Sequence, residues 1–216
     1  EGAHRDLWGT LMAKKQNITI LQGKTFKGIL RWETEPIVRK AIAGFDVSTG
    51  CPRLTVTGHG LPNGWRVAVY NVAQPKNINA ANNPPLDDDY TPATVLDANT
   101  IELNRISAVD WKPYTSGGFL QWNTPHDLAS YTVRMKIKNR VGGTVLASTE
   151  AADAPLNVIT MAVDNSAKTI TRTIDADDTA AFAFKTGVYD VEAVSPSGEV
   201  TLLFYGSVTV SQEVTT

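Results

Sequence analysis

The sequence predicts an all-β chain in which one β-sandwich is interrupted by an inserted β module. Three observations carry that expectation. In the run 127–138, apolar Tyr131, Val133, Met135 and Ile137 alternate with Thr132, Arg134, Lys136 and Lys138. Successive side chains of a strand point to opposite faces, so this run offers one face to a core and one basic face to water. Its expected hairpin partner is 25–32, far upstream, where Phe26, Gly28, Leu30 and Trp32 share a face. Between the two lies 46–122, which has its own apolar runs and its own turns.

The elements follow in chain order. Residues 17–21 (Asn-Ile-Thr-Ile-Leu) are rich in β-branched side chains and end at Gln22-Gly23-Lys24, where glycine permits a positive φ. After 25–32 the chain breaks at 33–36, and 37–45 resumes as a short extended segment. Pro36 lacks an N–H and suits an edge position. The inserted stretch holds five short β-prone runs, at 54–57, 65–72, 93–96, 100–103 and 118–122. Asp97-Ala98-Asn99 between two of them is a hairpin signal. Residues 77–89, dominated by Asn, Pro and Asp, read as a long exposed loop. Five short strands with turn-rich links suit a small barrel.

From 128 the sandwich resumes, with strands at 144–148, 159–163 and 169–174. The one helix is expected over 175–182, with Asp175 as N-cap, Asp177 and Asp178 in the first turn, and Gly187 ending it. Tyr189, Val191 and Ala193 alternate into the turn Ser195-Pro196-Ser197-Gly198. Val200, Leu202 and Phe204 return from it, and 207–210 is a last strand. About seven strands with turns every 8 to 12 residues suit an immunoglobulin-like sandwich without its disulfide. The expected organisation is an N-terminal arm at 1–15, a discontinuous sandwich at 16–45 and 123–216, and a barrel at 46–122.

Composition bounds the function. With 42% hydrophobic and 19% charged residues the chain belongs among globular proteins. A net charge of −2 supplies no basic field for nucleic acid and no polybasic membrane signal. No apolar run reaches the ~18 residues of a membrane span, and 1–14 lacks the apolar core of a signal peptide. The single Cys51 has no intramolecular partner, as in chains folded in a reducing cytoplasm. The sequon Asn17-Ile18-Thr19 lies in an expected strand of a chain without a recognisable secretion signal and is not expected to be glycosylated. Met12-Ala13-Lys14-Lys15 reads like a natural start, which leaves 1–11 as an extended arm or an added leader.

Two segments resemble known families. Ile18-Thr-Ile-Leu-Gln-Gly-Lys-Thr-Phe, the run 127–138, Gly187-Val-Tyr-Asp-Val-Glu-Ala-Val-Ser-Pro-Ser-Gly-Glu-Val and the segment 202–215 resemble an immunoglobulin-like domain of tailed-bacteriophage virion proteins of tail, baseplate or fibre-adaptor type. The inserted Thr57-Gly-His-Gly-Leu-Pro-Asn-Gly-Trp-Arg-Val-Ala-Val and Tyr114-Thr-Ser-Gly-Gly-Phe-Leu are similar to a small SH3-like β-barrel module first described in ubiquitin-activating enzymes. Together they imply an immunoglobulin-like β-sandwich interrupted by an inserted small SH3-like β-barrel. They also imply a non-enzymatic virion protein, present in many copies and docking to other virion proteins. A tail or fibre-attachment place comes first. A head decoration or head-fibre protein is the alternative, and a carbohydrate-binding module for host-surface adhesion is the reading from another class.

A search for chemistry supports no enzyme. His59 lies between two glycines with no Cys or His at ligand spacing, and reads as a turn residue. His126 sits at a strand start, His4 in the arm. Asp87-Asp88-Asp89 and the Asp175, Asp177, Asp178 set are the metal candidates. Adjacent carboxylates diverge, the calcium-loop spacing is absent, and capping explains the second set, so neither metal nor cofactor is expected. Cys51, between Gly50 and Pro52, has nothing evident to lower its pKa. Trp32, Trp65 and Trp122 fall in apolar runs and are core candidates. Trp8 and Trp111 lie in polar surroundings, and Leu7, Trp8, Leu11 and Met12 are spaced to share one apolar helical face. Trp8, Leu11 and Trp111 are the candidate protein-interface residues, with Trp8 as the anchor of an arm that packs on a neighbouring subunit.

Overall fold

The computed structural model describes residues 13–212, which divide into two compact units. The first unit receives β1 (Lys14–Lys15), β2 (Ile18–Leu21) and β3 (Phe26–Leu30). The second unit, 33–125, carries β4 (Glu33–Ala41), β5 (Gly44–Asp46), β6 (Arg53–Thr55), β7 (Arg66–Val72), β8 (Thr91–Pro92), β9 (Thr94–Val95), β10 (Thr100–Glu102) and β11 (Gly117–Pro125). The first unit then resumes with β12 (Thr132–Lys138), β13 (Val145–Ser148), β14 (Ile159–Asp164), β15 (Thr169–Ile174), α1 (Ala176–Ala180), β16 (Thr186–Val194) and β17 (Val200–Ser211). The class is all-β.

In the first unit β17 is the long strand on which one sheet is built. β16 runs antiparallel along one edge. β1 and β2 run parallel along successive lengths of the other edge, Lys14 beside Phe204 and Ile18 beside Val208. β12 and β13 follow beyond β16. A second sheet has the order β14-β15-β3. Ile20, Met135, Ile137, Val191 and Val208 from one sheet share a single core with Leu30, Ile159, Ile170 and Ile174 from the other. Among the four apolar side chains of the run 127–138, Met135 and Ile137 are fully buried, while Tyr131 and Val133 are half-buried against the same core.

Several expectations are corrected. β12 does not pair with 25–32. It lies between β16 and β13, and β3 pairs with β15 instead. The two runs contribute to one core from different sheets, so alternation identified their buried faces but not their neighbours. The expected runs 200–204 and 207–210 are one strand, β17. Gly206 lets the neighbouring chain segment lie close against it, because a Cβ there would come 2.2 Å from the Gln16 carbonyl oxygen. The helix spans only 176–180, the Asp175 side chain makes no capping bond, and Gly187 lies inside β16. Residues 14–15 belong to the sheet rather than to an arm.

One buried residue breaks the polarity pattern. Arg172 is inward-facing on β15 and 3% exposed, between the rings of Phe26 and Tyr189 at 5.3 and 5.5 Å. Its Nη2 donates to Gln16 Oε1 at 3.3 Å, and Nε and Nη1 have no hydrogen-bond partner. Gly28 sits opposite in register, and a Cβ there would come within 2.6 Å of Nε. The missing side chain is what admits the guanidinium.

The second unit has two four-stranded sheets, β4-β11-β7-β8 and β5-β6-β10-β9. Leu54, Val56, Trp65, Val67, Val69, Ile101, Leu103, Leu120 and Trp122 form its core. The chain passes from the first sheet to the second between β4 and β5 and between β8 and β9, and returns between β6 and β7 and between β10 and β11. Among the described residues no ladder joins these sheets into a closed barrel. The boundary also differs from the one expected at 45/46 and 122/123. Residues 33–34 and 37–41 pair with β11, so the unit starts at Glu33 and ends at Pro125. Pro36 is accommodated because β4 is an edge strand and the register shifts beside it, between Asn123 and Thr124.

The ends of the second unit are paired, Glu33 opposite Pro125 and Thr34 opposite Thr124. On the first unit, His126 N donates to Trp32 O at 3.0 Å. The points where the chain leaves and returns therefore lie side by side. Excising 33–125 and joining Trp32 to His126 through two glycines should leave a chain with β-type circular dichroism and a cooperative melt. An unfolded product would sink the idea of a separable insertion. Met135→Ala should cost roughly 2 to 5 kcal/mol, as for other fully buried long apolar side chains. Lys136→Ala, on the opposite face, should cost no more than about 1 kcal/mol, and equal losses in urea titrations would contradict the assignment of faces.

Candidate functional site

The outer face of the six-stranded sheet is built by register. Arg134 lies opposite Glu192 and Lys136 opposite Asp190. Arg134 Nη2 meets Glu192 Oε2 at 2.8 Å, and Lys136 Nζ meets Glu150 Oε2 at 2.7 Å and Asp153 Oδ2 at 3.0 Å. The face that reads as basic in β12 alone is thus matched by carboxylates from β16 and the turn after β13. A shallow depression of about 350 Å³ is lined by Arg134, Lys136, Lys138, Glu150, Asp190 and Glu192. Burial raises the Asp190 pKa, and the Glu192 charge adds to the shift. The Asp153 pKa is lowered, first by the Ser148 hydrogen bond and then by Lys136.

Beside this charged lattice the surface turns apolar. Val200 and Leu202 are 47% and 42% exposed, and Val194 stands opposite Val200. Next along β17, Tyr205 is exposed as well. β1 reaches β17 only at Phe204 and Tyr205. Along that edge, residues 200–203 carry no strand among the described residues. An edge that no described strand covers, flanked by exposed apolar side chains, is a template for another chain segment.

In the second unit the outer face of β4-β11-β7-β8 holds a ring pair. Tyr70 and Phe119 are opposite in register and stacked, centroids 5.6 Å apart and planes 26° apart, with Phe119 41% exposed. Two glycines with positive φ, Gly117 and Gly118, lead into Phe119. A Cβ on Gly118 would lie 2.4 Å from Val72 Cγ2, so only glycine lets β11 approach β7 here. Further along the same face, Gln121 is buried, accepts from Arg39 Nε at 2.8 Å and donates to Tyr90 Oη at 2.5 Å. Burial raises the Tyr90 pKa. Arg66 forms a two-pronged pair with Glu33, Nε–Oε1 and Nη2–Oε2 both at 2.7 Å, which raises the guanidinium pKa.

Of the residues singled out in sequence, Trp8 and Leu11 lie outside the described residues. Trp111 packs half-buried on the core of the second unit, edge-on to Phe45 at 6.4 Å. Trp65 and Trp122 are buried in that core. His59 is buried in its turn: Nδ1 accepts from Leu61 N at 3.0 Å, so Nε2 carries the proton and donates to Asp97 O at 2.9 Å. Asp89 accepts from Leu86 N, Ala81 N and Asn82 Nδ2, and Asp87 pairs with Arg66. Their carboxylates are committed to structure and do not converge. Cys51 is free and half-buried. The Tyr70–Phe119 pair and the 200–203 edge escaped the sequence reading, because each depends on which strands become neighbours.

His126 stacks on Trp32 with centroids 3.7 Å apart, and Tyr131 stands edge-on to both rings. Its Nε2 is buried without a hydrogen-bond partner.

No protein-family model matches the chain, and no curated protein matches it. Among the described residues no helix is long and apolar enough to cross a membrane.

Burial lowers the His126 pKa below its ordinary 6.5. The unfolded chain then takes up the proton first, so stability is full above about pH 6.5 and falls as pH drops toward the folded-state pKa. The melting temperature of wild type should decline over that interval, and His126→Phe should flatten the decline. An identical slope in the variant would show that His126 does not govern it.

Proposed function

We propose that the chain is a structural protein of a tailed-phage virion, present in many copies and acting by protein–protein docking at a tail or fibre attachment. On this reading the first unit is an immunoglobulin-like sandwich, the protein is not an enzyme, and its place of work is the particle. The observation that carries the reading is the β17 edge. Among the described residues the strand pairs with β1 only at Phe204 and Tyr205, while Val200 and Leu202 stand exposed beside the length 200–203. Residues 1–12, which include Leu7, Trp8, Leu11 and Met12, precede the chain at that edge. The occupant is the 1–12 segment of a neighbouring copy, with Trp8 and Leu11 as its apolar anchors. A segment that departs beside the edge it would fill is readily exchanged between identical copies.

The full chain should then form oligomers by light scattering after size exclusion. Deleting 1–12 and, separately, Leu202→Glu should each give monomers with unchanged melting temperature. Full chain that stays monomeric at high concentration would refute the exchange. An antibody to the chain should also detect it in tailed particles banded on a density gradient. Its presence only in the soluble fraction of the lysate would refute the virion reading.

A further inference from the structure

A depression of about 330 Å³ opens beside Tyr70, lined by Tyr70, Asn71, Val72, Lys76, Asn79 and Asn83, with Ala80 completing the wall. That size falls within the range of small-ligand sites. Tyr70 forms its aromatic flank and is itself stacked against Phe119, and the lining contains one cation and no carboxylate.

The amides divide into one that holds the wall and two that face outward. Asn79 is spent on the backbone, accepting from Val72 N at 2.8 Å and donating to Val72 O at 2.9 Å. Asn71 and Asn83 share one bond, Asn83 Nδ2 to Asn71 Oδ1 at 3.0 Å, and both residues are exposed. Whichever way the two amides are turned, one amide group keeps a free donor end and the other a free acceptor. Asn71 holds a positive φ of 60°, which places its side chain off the regular strand direction. Lys76 is exposed on the adjoining turn.

An aromatic face beside a donor and an acceptor a few ångströms apart is the chemistry that grips a sugar ring. The C–H face lies on the aromatic ring, and neighbouring hydroxyls take the two amides. The lone ammonium adds a preference for a carboxylate on the sugar. We propose that this depression binds a saccharide bearing a uronic-acid carboxylate, with Tyr70 as the platform, Asn71 and Asn83 on hydroxyls, and Lys76 on the carboxylate. The proposal stands on a different surface from the β17 edge and does not depend on the virion reading.

The test is a panel of oligosaccharides, tri- to hexamers of galacturonic acid and of glucuronic acid with neutral malto-oligomers alongside, titrated into the full labelled chain and followed by amide NMR shifts. The expected result is saturable movement centred on Tyr70, Asn71, Lys76 and Asn83 with at least one uronic-acid oligomer, and weaker or absent movement with the neutral series. Tyr70→Ala should weaken binding about tenfold, in keeping with the loss of one stacking face. Lys76→Ala should abolish the preference for the acidic series while leaving the melting temperature unchanged. The proposal fails if no member of the panel moves these resonances, if shifts centre elsewhere, or if Lys76→Ala leaves the acidic preference intact.

Discussion

The carboxylate of Glu33 stands where the chain enters its second unit, and much depends on what it holds. Both oxygens take the guanidinium of Arg66 on β7, and Oε2 also accepts from Asn123 Nδ2 on β11 at 2.9 Å. Three strands are tied at the unit's own entrance and exit. Trp65 adds a fourth link, Nε1 donating to Asn123 O at 2.8 Å. Charge-assisted, two-pronged pairs of this kind fix direction as well as distance, and a half-buried pair broken on one side leaves a charge without its partner. An inserted unit must return the chain to the place where it left. This cluster does so from within the insert, and a first unit can then be assembled from two pieces, 13–32 and 126–212, around one core.

The parts of this fold legible in the sequence were those with a local period. The buried face of β12 follows from four alternating residues, and the hairpin between β9 and β10 follows from Asp97-Ala98-Asn99. What a period cannot express is which strand lies alongside. β12 and β3 carry matching patterns yet lie in different sheets, and the insertion boundary was displaced because 37–45 reads as one more sandwich segment when the strand it belongs to pairs with β11 of the inserted unit. The buried Arg172 is instructive for the same reason. Its parity with Ile170 and Ile174 points inward, but its charge argues outward, and only the glycine opposite it, on a strand more than a hundred residues earlier, resolves the conflict.

The surfaces that suggest function were still less legible. Attention in the sequence goes to tryptophan, and two of the five tryptophans prove to be packed in the core of the second unit. The exposed ring pair comes from a tyrosine and a phenylalanine on separate strands, and its only local trace is the Gly117-Gly118 step that seats β11 against β7. The basic stripe of β12 misleads in the opposite sense. Read alone it is a cationic face. Beside β16 it becomes a lattice of alternating charges, whose exposed pairs each add at most about 1 kcal/mol and whose net field is small.

The parallel docking of β1 and β2 on β17 bears on how the first unit responds to force. Tension drawn through the chain ahead of Lys14 pulls β1 and β2 backward, and tension drawn from beyond Ser211 pulls β17 forward. Because the strands run the same way, the two pulls slide them past each other along their length. The ladder at 208–211 and the contacts at 204–205 then resist together, in shear, instead of opening one bond at a time as a hairpin does. Forced unfolding is governed by the height of the unfolding barrier rather than by equilibrium stability. A unit gripped at both ends in this way is arranged to stay shut under a stretching load.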